Sequence, residues 1–162
     1  MAIHLERAYG VAQQAAELAD PRIITLLVES GAPGVSSDEP ALSEPARLVR
    51  ADESNGSNGD LIGYAQLREG EVPGCVTGPG AIELWRFYVL REWHGQGIAQ
   101  ALMERVRAEA VARGAATLWL GVWDQNPRAQ AFYRKCGFVE VGDHVFLFGT
   151  DPQRDLVMEM KL

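Results

Sequence analysis

The segment His94-Gly95-Gln96-Gly97-Ile98-Ala99 puts two glycines one residue apart just ahead of a strongly helical stretch. A glycine-rich turn feeding a helix start leaves several backbone N–H groups with no acceptor inside the helix. Those donors, with the positive end of the helix dipole, make a seat for a diphosphate. The spacing therefore points to a nucleotide-containing ligand held by main chain. A mononucleotide P-loop would end in Gly-Lys-Ser/Thr, which is absent. The dinucleotide fingerprint needs a third glycine where Gln100 stands. On these residues alone, a plain strand-to-helix turn without a ligand stays open.

A second cluster lies downstream. Residues 118–123 form a short apolar run that fits a buried parallel strand. Then comes Asn126-Pro127-Arg128-Ala129-Gln130-Ala131-Phe132-Tyr133-Arg134-Lys135-Cys136-Gly137-Phe138. Asn126 suits a helix cap, Pro127 the first helical position and Gly137 a left-handed stop. Ala129, Phe132, Tyr133 and Cys136 follow i, i+3, i+4, i+7, which predicts one buried stripe.

Together these segments resemble the GCN5-related N-acetyltransferase (GNAT) family. The first is similar to its acetyl-CoA motif, Gln/Arg-x-x-Gly-x-Gly/Ala, with His94 as the departure and Ala99 as an accepted variant. The second is similar to its Asn-x-x-Ala-x-x-Phe-Tyr-x-Lys-x-Gly-Phe segment. The resemblance is firm over residues 80–139 and looser outside. It implies direct acetyl transfer from acetyl-CoA to a primary amine, with no covalent enzyme intermediate and no metal. It places the pantetheine arm along Phe87, Tyr88 and Val89, with the Val89 N–H aimed at the thioester carbonyl. Gly95, Gln96, Gly97, Ile98 and Ala99 would hold the diphosphate through their N–H groups, with Gln100 as a weaker addition. His94 would donate to a phosphate, or stand solvated at the helix entry. Tyr133 would face the coenzyme sulfur as proton donor, or be a core tyrosine. Asn126 would touch the coenzyme arm as well as cap its helix, and Lys135 would approach the phosphates unless it is simply exposed.

An alkylammonium has a pKa of about 10.4, so the acceptor must lose a proton before attacking. Glu83 is the candidate base, acting through a water. Two-residue alternation puts it on one face with Trp85, Phe87 and Val89. The alternative is a strand-end carboxylate in water or paired with Arg86. Many relatives carry a glutamate on the next strand, near where this chain has Gly121. Asp124 and His144 are further candidates.

Positioning these residues takes a whole domain. The 162 residues, 47% hydrophobic and 23% charged, suit one domain spanning 1–162. No membrane-length apolar run or signal pattern is visible, which gives a cytoplasmic expectation. Cys75 and Cys136 are too few for a disulfide scaffold, and no Cys/His cluster has metal-ligand spacing. A net charge of −7 disfavours a nucleic-acid partner and suits a cationic amine, or simply solubility.

Residues 3–8 read as a strand and 9–19 as a helix. Asp20-Pro21 reads as the start of a second helix reaching about Ser30. Residues 31–45 read as a loop; 48–50 and 61–67 read as paired strands joined by a turn-rich hairpin loop over 52–60. Residues 70–80 are a glycine- and proline-rich connection. A helix runs from Ile98 to a stop at Arg113-Gly114, and 139–149 and 156–162 are closing strands. This order predicts an α/β fold with a mixed sheet and helices on both faces. The resemblance adds a mostly antiparallel sheet with one splayed parallel pair. The tail from His144 resembles the end of bacterial spermidine/spermine-type acetyltransferases, so a polyamine acceptor is expected, with Glu29, Asp38, Glu39 and Glu44 as candidate acids at its mouth. The alternatives are a peptide N-terminus or lysine as acceptor, a non-catalytic acyl-CoA sensor, and a pure interaction domain. A homodimer fits the family.

Overall fold

Short β-branched and alanine-rich runs alternate along this chain, and the fold follows them. The computed structural model describes residues 11–30, 46–53, 59–148 and 151–162. Its elements are α1 (Val11–Ala19), β1 (Ile23–Ser30), β2 (Ala46–Arg50), β3 (Leu61–Arg68), β4 (Ala81–Val89), α2 (Ile98–Ala112), β5 (Thr117–Trp123), α3 (Pro127–Lys135), β6 (Val139–Phe148) and β7 (Asp151–Lys161). Seven described strands form one sheet in the order β2-β1-β3-β4-β5-β7-β6. Every neighbouring pair is antiparallel except β4 and β5.

Two-residue alternation sorts the strands into two covered faces. Leu26, Leu67, Leu84, Leu118, Leu120 and Met158 meet Leu102, Met103 and Val106 of α2 in the main core. α1 covers the other face, where the buried Glu17 meets Gln66 and Arg86. On that second face a smaller cluster joins Val76, Trp119 and Val157.

Two element expectations are overturned. Residues 23–30 form a strand, where a second helix was expected. The Asp20 carboxylate accepts from the Arg22 N–H at 2.9 Å, and Ile23 N–H closes on the Asp20 carbonyl at 3.0 Å. Asp20 thus ties a turn instead of capping a helix, and Ile23, Ile24, Thr25 and Val28 supply a β-branched run that the sheet buries. The strands at 46–50 and 61–68 do not pair with each other, since β1 lies between them and pairs with both. The expected hairpin therefore has no ladder, and its residues 54–58 lie outside the described ones, as do residues 3–8 and 31–45. The closing strand begins at Asp151, five residues before the expected start.

β4 carries one irregularity. Gln66 pairs with Arg86 but Leu67 pairs with Leu84, so Trp85 is an extra residue that bulges from the ladder. The guanidinium groups of Arg68 and Arg86 flank its ring, 4.2 and 4.1 Å from the centroid.

Candidate active site

The glycine turn lies between a 3-10 turn at Arg91–Trp93 and α2. Gly97 is the helix cap residue, left-handed at φ 83°, and no side chain caps the helix. Gly95 is also left-handed, at φ 81°, and a Cβ on either glycine would meet nothing within 4 Å. Gln100 and Ala101 donate back to the Gly97 carbonyl. Among the described residues no backbone acceptor takes the N–H of Gly95, Gln96, Gly97, Ile98 or Ala99. Five consecutive donors thus lack a backbone acceptor at the positive end of a 15-residue helix. Ile98 is buried in the core and anchors the turn. The Gln96 amide is occupied by the Glu92 carbonyl, and Gln100 is exposed.

His94 bonds within the protein through both ring nitrogens. Nε2 lies 2.9 Å from the Val89 carbonyl and Nδ1 lies 2.7 Å from the Arg128 guanidinium. A carbonyl only accepts, so Nε2 carries the proton and Nδ1 accepts from Arg128. His94 therefore ties the cation of Arg128 to the loop. Sequence reasoning missed Arg128, which shows only as an exposed residue in the first turn of α3. Lys135 stands exposed at the far end of α3, about 10 Å further along the axis.

Beside the loop the sheet opens. β4 and β5 pair only over 81–83 and 117–119. Beyond that, β4 follows β3 and β5 follows β7. Leu90 N–H donates to the Ile62 carbonyl at 2.8 Å. By the alternation of an antiparallel ladder, Tyr88 and Arg86 then bond toward β3, and the N–H groups of Phe87 and Val89 turn into the gap.

α3 covers the gap on the main-core face. The Asn126 side chain accepts from Ala129 N–H at 3.1 Å, Pro127 opens the helix and Gly137 stops it at φ 100°. The Phe87 ring meets Phe132 at 5.6 Å and Tyr133 at 6.4 Å, and Tyr133 meets Phe138 at 5.7 Å. The predicted stripe of Ala129, Phe132, Tyr133 and Cys136 packs against the core but is only partly buried. The buried residue of α3 is Gln130, whose amide donates to the carbonyls of Trp123 and Asp124. Burial pushes the Tyr133 hydroxyl above its ordinary pKa, with Cys136 and Tyr88 adding to the rise. The phenol therefore stays protonated at neutral pH.

The opposite face holds Glu83 and Arg68. The bulge at Trp85 overturns the alternation that put Glu83 with Trp85, Phe87 and Val89. Glu83 pairs with Arg68 across the ladder, Phe87 with Ala65, and those partners lie on opposite faces of β3. The Glu83 carboxylate is gripped by Arg68 at 2.6 and 2.8 Å, and Arg86 pairs with Glu17 instead. Burial raises the Glu83 carboxyl, against the bonding and charge of Arg68 and the charge of His144. His144 also lies near Gly121, its Cε1 3.5 Å from where a Cβ would stand, with Asp155 Oδ2 at 3.4 Å. Glu83 and His144 thus gather near Gly121, with Asp155, which sequence reasoning missed; the charge of Asp124 reaches the same carboxylate. The alternation of Leu156, Met158 and Met160 would have placed Asp155 on this face had the strand been extended one residue back. Glu29 is buried in β1, four strand positions from β7. Asp38, Glu39 and Glu44 lie outside the described residues. Among the described residues no group of His, Cys, Asp and Glu could hold a metal ion, and no helix is long and apolar enough to cross a membrane.

Residues 28–138 match the Acetyltransferase (GNAT) family. The chain is 37% identical over 121 residues to an uncharacterized N-acetyltransferase of Mycobacterium bovis, covering 75% of this chain and 71% of that one. It is 33% identical over 87 residues to the aminoglycoside N(6')-acetyltransferase type 1 of Stenotrophomonas maltophilia, covering 52% and 56%. Its fold is similar to the crystal structure of the ribosomal-protein-S18-alanine N-acetyltransferase from Escherichia coli, with a TM-score of 0.58, 20% identity and coverage of 99% and 84%. Since the family match begins within β1 and runs past α3, over well more than half of the chain, this protein belongs to the GNAT family and is an acetyl-CoA-dependent N-acetyltransferase.

Proposed function

We propose that the acceptor is the primary amine of a small cationic molecule, a polyamine or similar base, and that Tyr133, Glu83 and the Gly95–Ala99 turn carry the transfer. The observation that carries this reading is the run of five unpartnered N–H groups opening beside the splay. It fits a diphosphate, because no backbone acceptor takes these donors and neither glycine carries a side chain to crowd an anion. Arg128, tied in by His94, adds a positive charge there. The arm of acetyl-CoA would run along Phe87, Tyr88 and Val89, bringing the Val89 N–H to the thioester oxygen. Asn126 and Lys135 are peripheral contacts in this reading, and Gln100 extends the turn.

The acceptor's ammonium first gives a proton, through a water, to Glu83, whose burial favours taking it up. The free amine attacks the thioester carbon, a C–N bond forms, and the oxygen's developing charge rests on the Val89 N–H. Collapse breaks the C–S bond, and the second amine proton leaves for solvent. The Tyr133 hydroxyl donates a hydrogen bond to the departing thiolate, which a phenol held neutral by burial is suited to do.

The aminoglycoside acetyltransferase relative, whose named acceptor is a polycation, and the net charge of −7 support a cationic small molecule. The whole-length likeness to the ribosomal-protein-S18-alanine enzyme favours a protein N-terminus as second reading. Coenzyme thiol release with spermidine, an aminoglycoside and short peptides separates the two. In the same assay Tyr133→Phe is expected to lower kcat by about 10²–10⁴-fold with little change in KM for acetyl-CoA. Full activity of that variant across the pH range rejects the role given to Tyr133.

A further inference from the structure

Asp155 lies on β7, opposite Trp123 of β5 and His144 of β6. Its diagonal neighbour on β5 is Gly121, which contributes no side chain. A Cβ at Gly121 would stand 3.4 Å from Asp155 Oδ2 and 3.5 Å from His144 Cε1, so these two groups lie directly over the glycine. That position adjoins the splay on the face of Glu83, since Glu83 and Trp119 are in register and Gly121 follows Trp119 by two.

Glu83 and Asp155 lie on this face and the charge of Asp124 reaches Asp155, and the three carboxylates differ in what they already hold. Glu83 is gripped by Arg68, and Asp124 accepts from the Gln125 amide at 3.2 Å. Asp155 Oδ1 is shut off from water and has no hydrogen-bond partner among the described residues. A buried carboxylate oxygen without a donor is costly, and the other oxygen, Oδ2, lies over Gly121 where a ligand's charge could offset that cost. Burial also pushes this carboxyl up, against the charge of His144, and the charge of Asp124 pushes the same way as burial.

We infer that Asp155, reaching over Gly121 beside His144, is the subsite that binds the positively charged amine of the acceptor. The inference rests on the proposed acceptor chemistry but is read by binding, apart from turnover. Asp155 holds the incoming ammonium, and Glu83, across the opening, takes its proton. A glycine at 121 lets a side chain from β7 act where a residue of β5 would otherwise project.

The test is calorimetric titration of spermidine into protein saturated with desulfo-coenzyme A, for wild type and Asp155→Asn. The expected result is a dissociation constant raised about tenfold or more in the variant. The coenzyme's own affinity should stay within twofold. The melting temperature should hold or rise, because the substitution removes an unserved charge. That combination separates substrate binding from a structural role, which would lower the melting temperature and weaken both ligands together. Equal spermidine affinity in the two proteins overturns the inference, as does a wild type that binds none of spermidine, an aminoglycoside and a short peptide. Wild type that binds spermidine but releases no coenzyme thiol rejects the transfer reaction and leaves the Asp155 subsite standing.

Discussion

At the scale of single residues, the pairing of His94 with Arg128 changes what the loop offers a ligand. The family pattern puts Gln or Arg at position 94; here a histidine fills it and holds an arginine from another element. A charged hydrogen bond of this kind contributes about 1.5–3 kcal/mol. Arg128→Ala is therefore expected to raise the KM for acetyl-CoA by about 10–100-fold and to leave kcat within a few-fold, measured by steady-state kinetics. Arg128→Lys should recover only part, since a lysine reaches as a point charge and not as a planar fork. The glycines, Tyr133 and Asn126 were legible in the sequence because local grammar fixes them: a turn, a cap, a helical stripe. Arg68, Arg128 and Asp155 were not, because each gains its meaning from a residue distant in the chain, and no local periodicity reports that.

At the scale of elements, α1 is held by a buried ion pair. Glu17 is 3% exposed and its carboxylate meets Arg86 at 2.5 and 3.0 Å, with Gln13 and Gln66 completing the bonds. Burial raises this carboxyl, but the bonds from Gln13 and Arg86 outweigh it and the pKa falls below 4.5. Glu17→Ala would strand the Arg86 cation under the helix, at a cost of about 3–5 kcal/mol and on the order of 10 °C in melting temperature. The sign of the pH effect follows from the depressed pKa. The carboxylate's contribution is present above the unfolded pKa and is lost as pH falls through the lower folded value. Glu17→Gln should therefore be less stable than wild type at pH 7, with the difference narrowing below about pH 4 in acid denaturation followed by circular dichroism. The helices α1, α2 and α3 were all readable from alanine content, spacing and caps. β1 was not, because Asp-Pro ahead of an apolar run is as good a turn as a helix start, and only the flanking strands decide.

For the whole molecule, the charge of −7 and an anionic coenzyme pull in opposite directions. Attraction of a polycation over the protein's field is screened within about 10 Å at 0.1 M salt. Raising ionic strength from about 0.02 to 0.3 M is expected to raise the KM for spermidine several-fold and to leave that for acetyl-CoA unchanged or lower. An uncharged-flank peptide should show no such rise, which makes the salt series a check on the acceptor class. The sheet order was only half readable, since the closing strands and the parallel pair announce themselves while the insertion of β1 between β2 and β3 does not. The one extra residue in β4 has a consequence beyond its own neighbourhood. It shifts the strand's odd–even frame at Trp85, so that Glu83 greets one side of the sheet and Phe87 and Val89 the other. Remove a single amino acid there and the two half-strands would fall back into step, swinging the Glu83 carboxylate round to the side of the Phe87 ring.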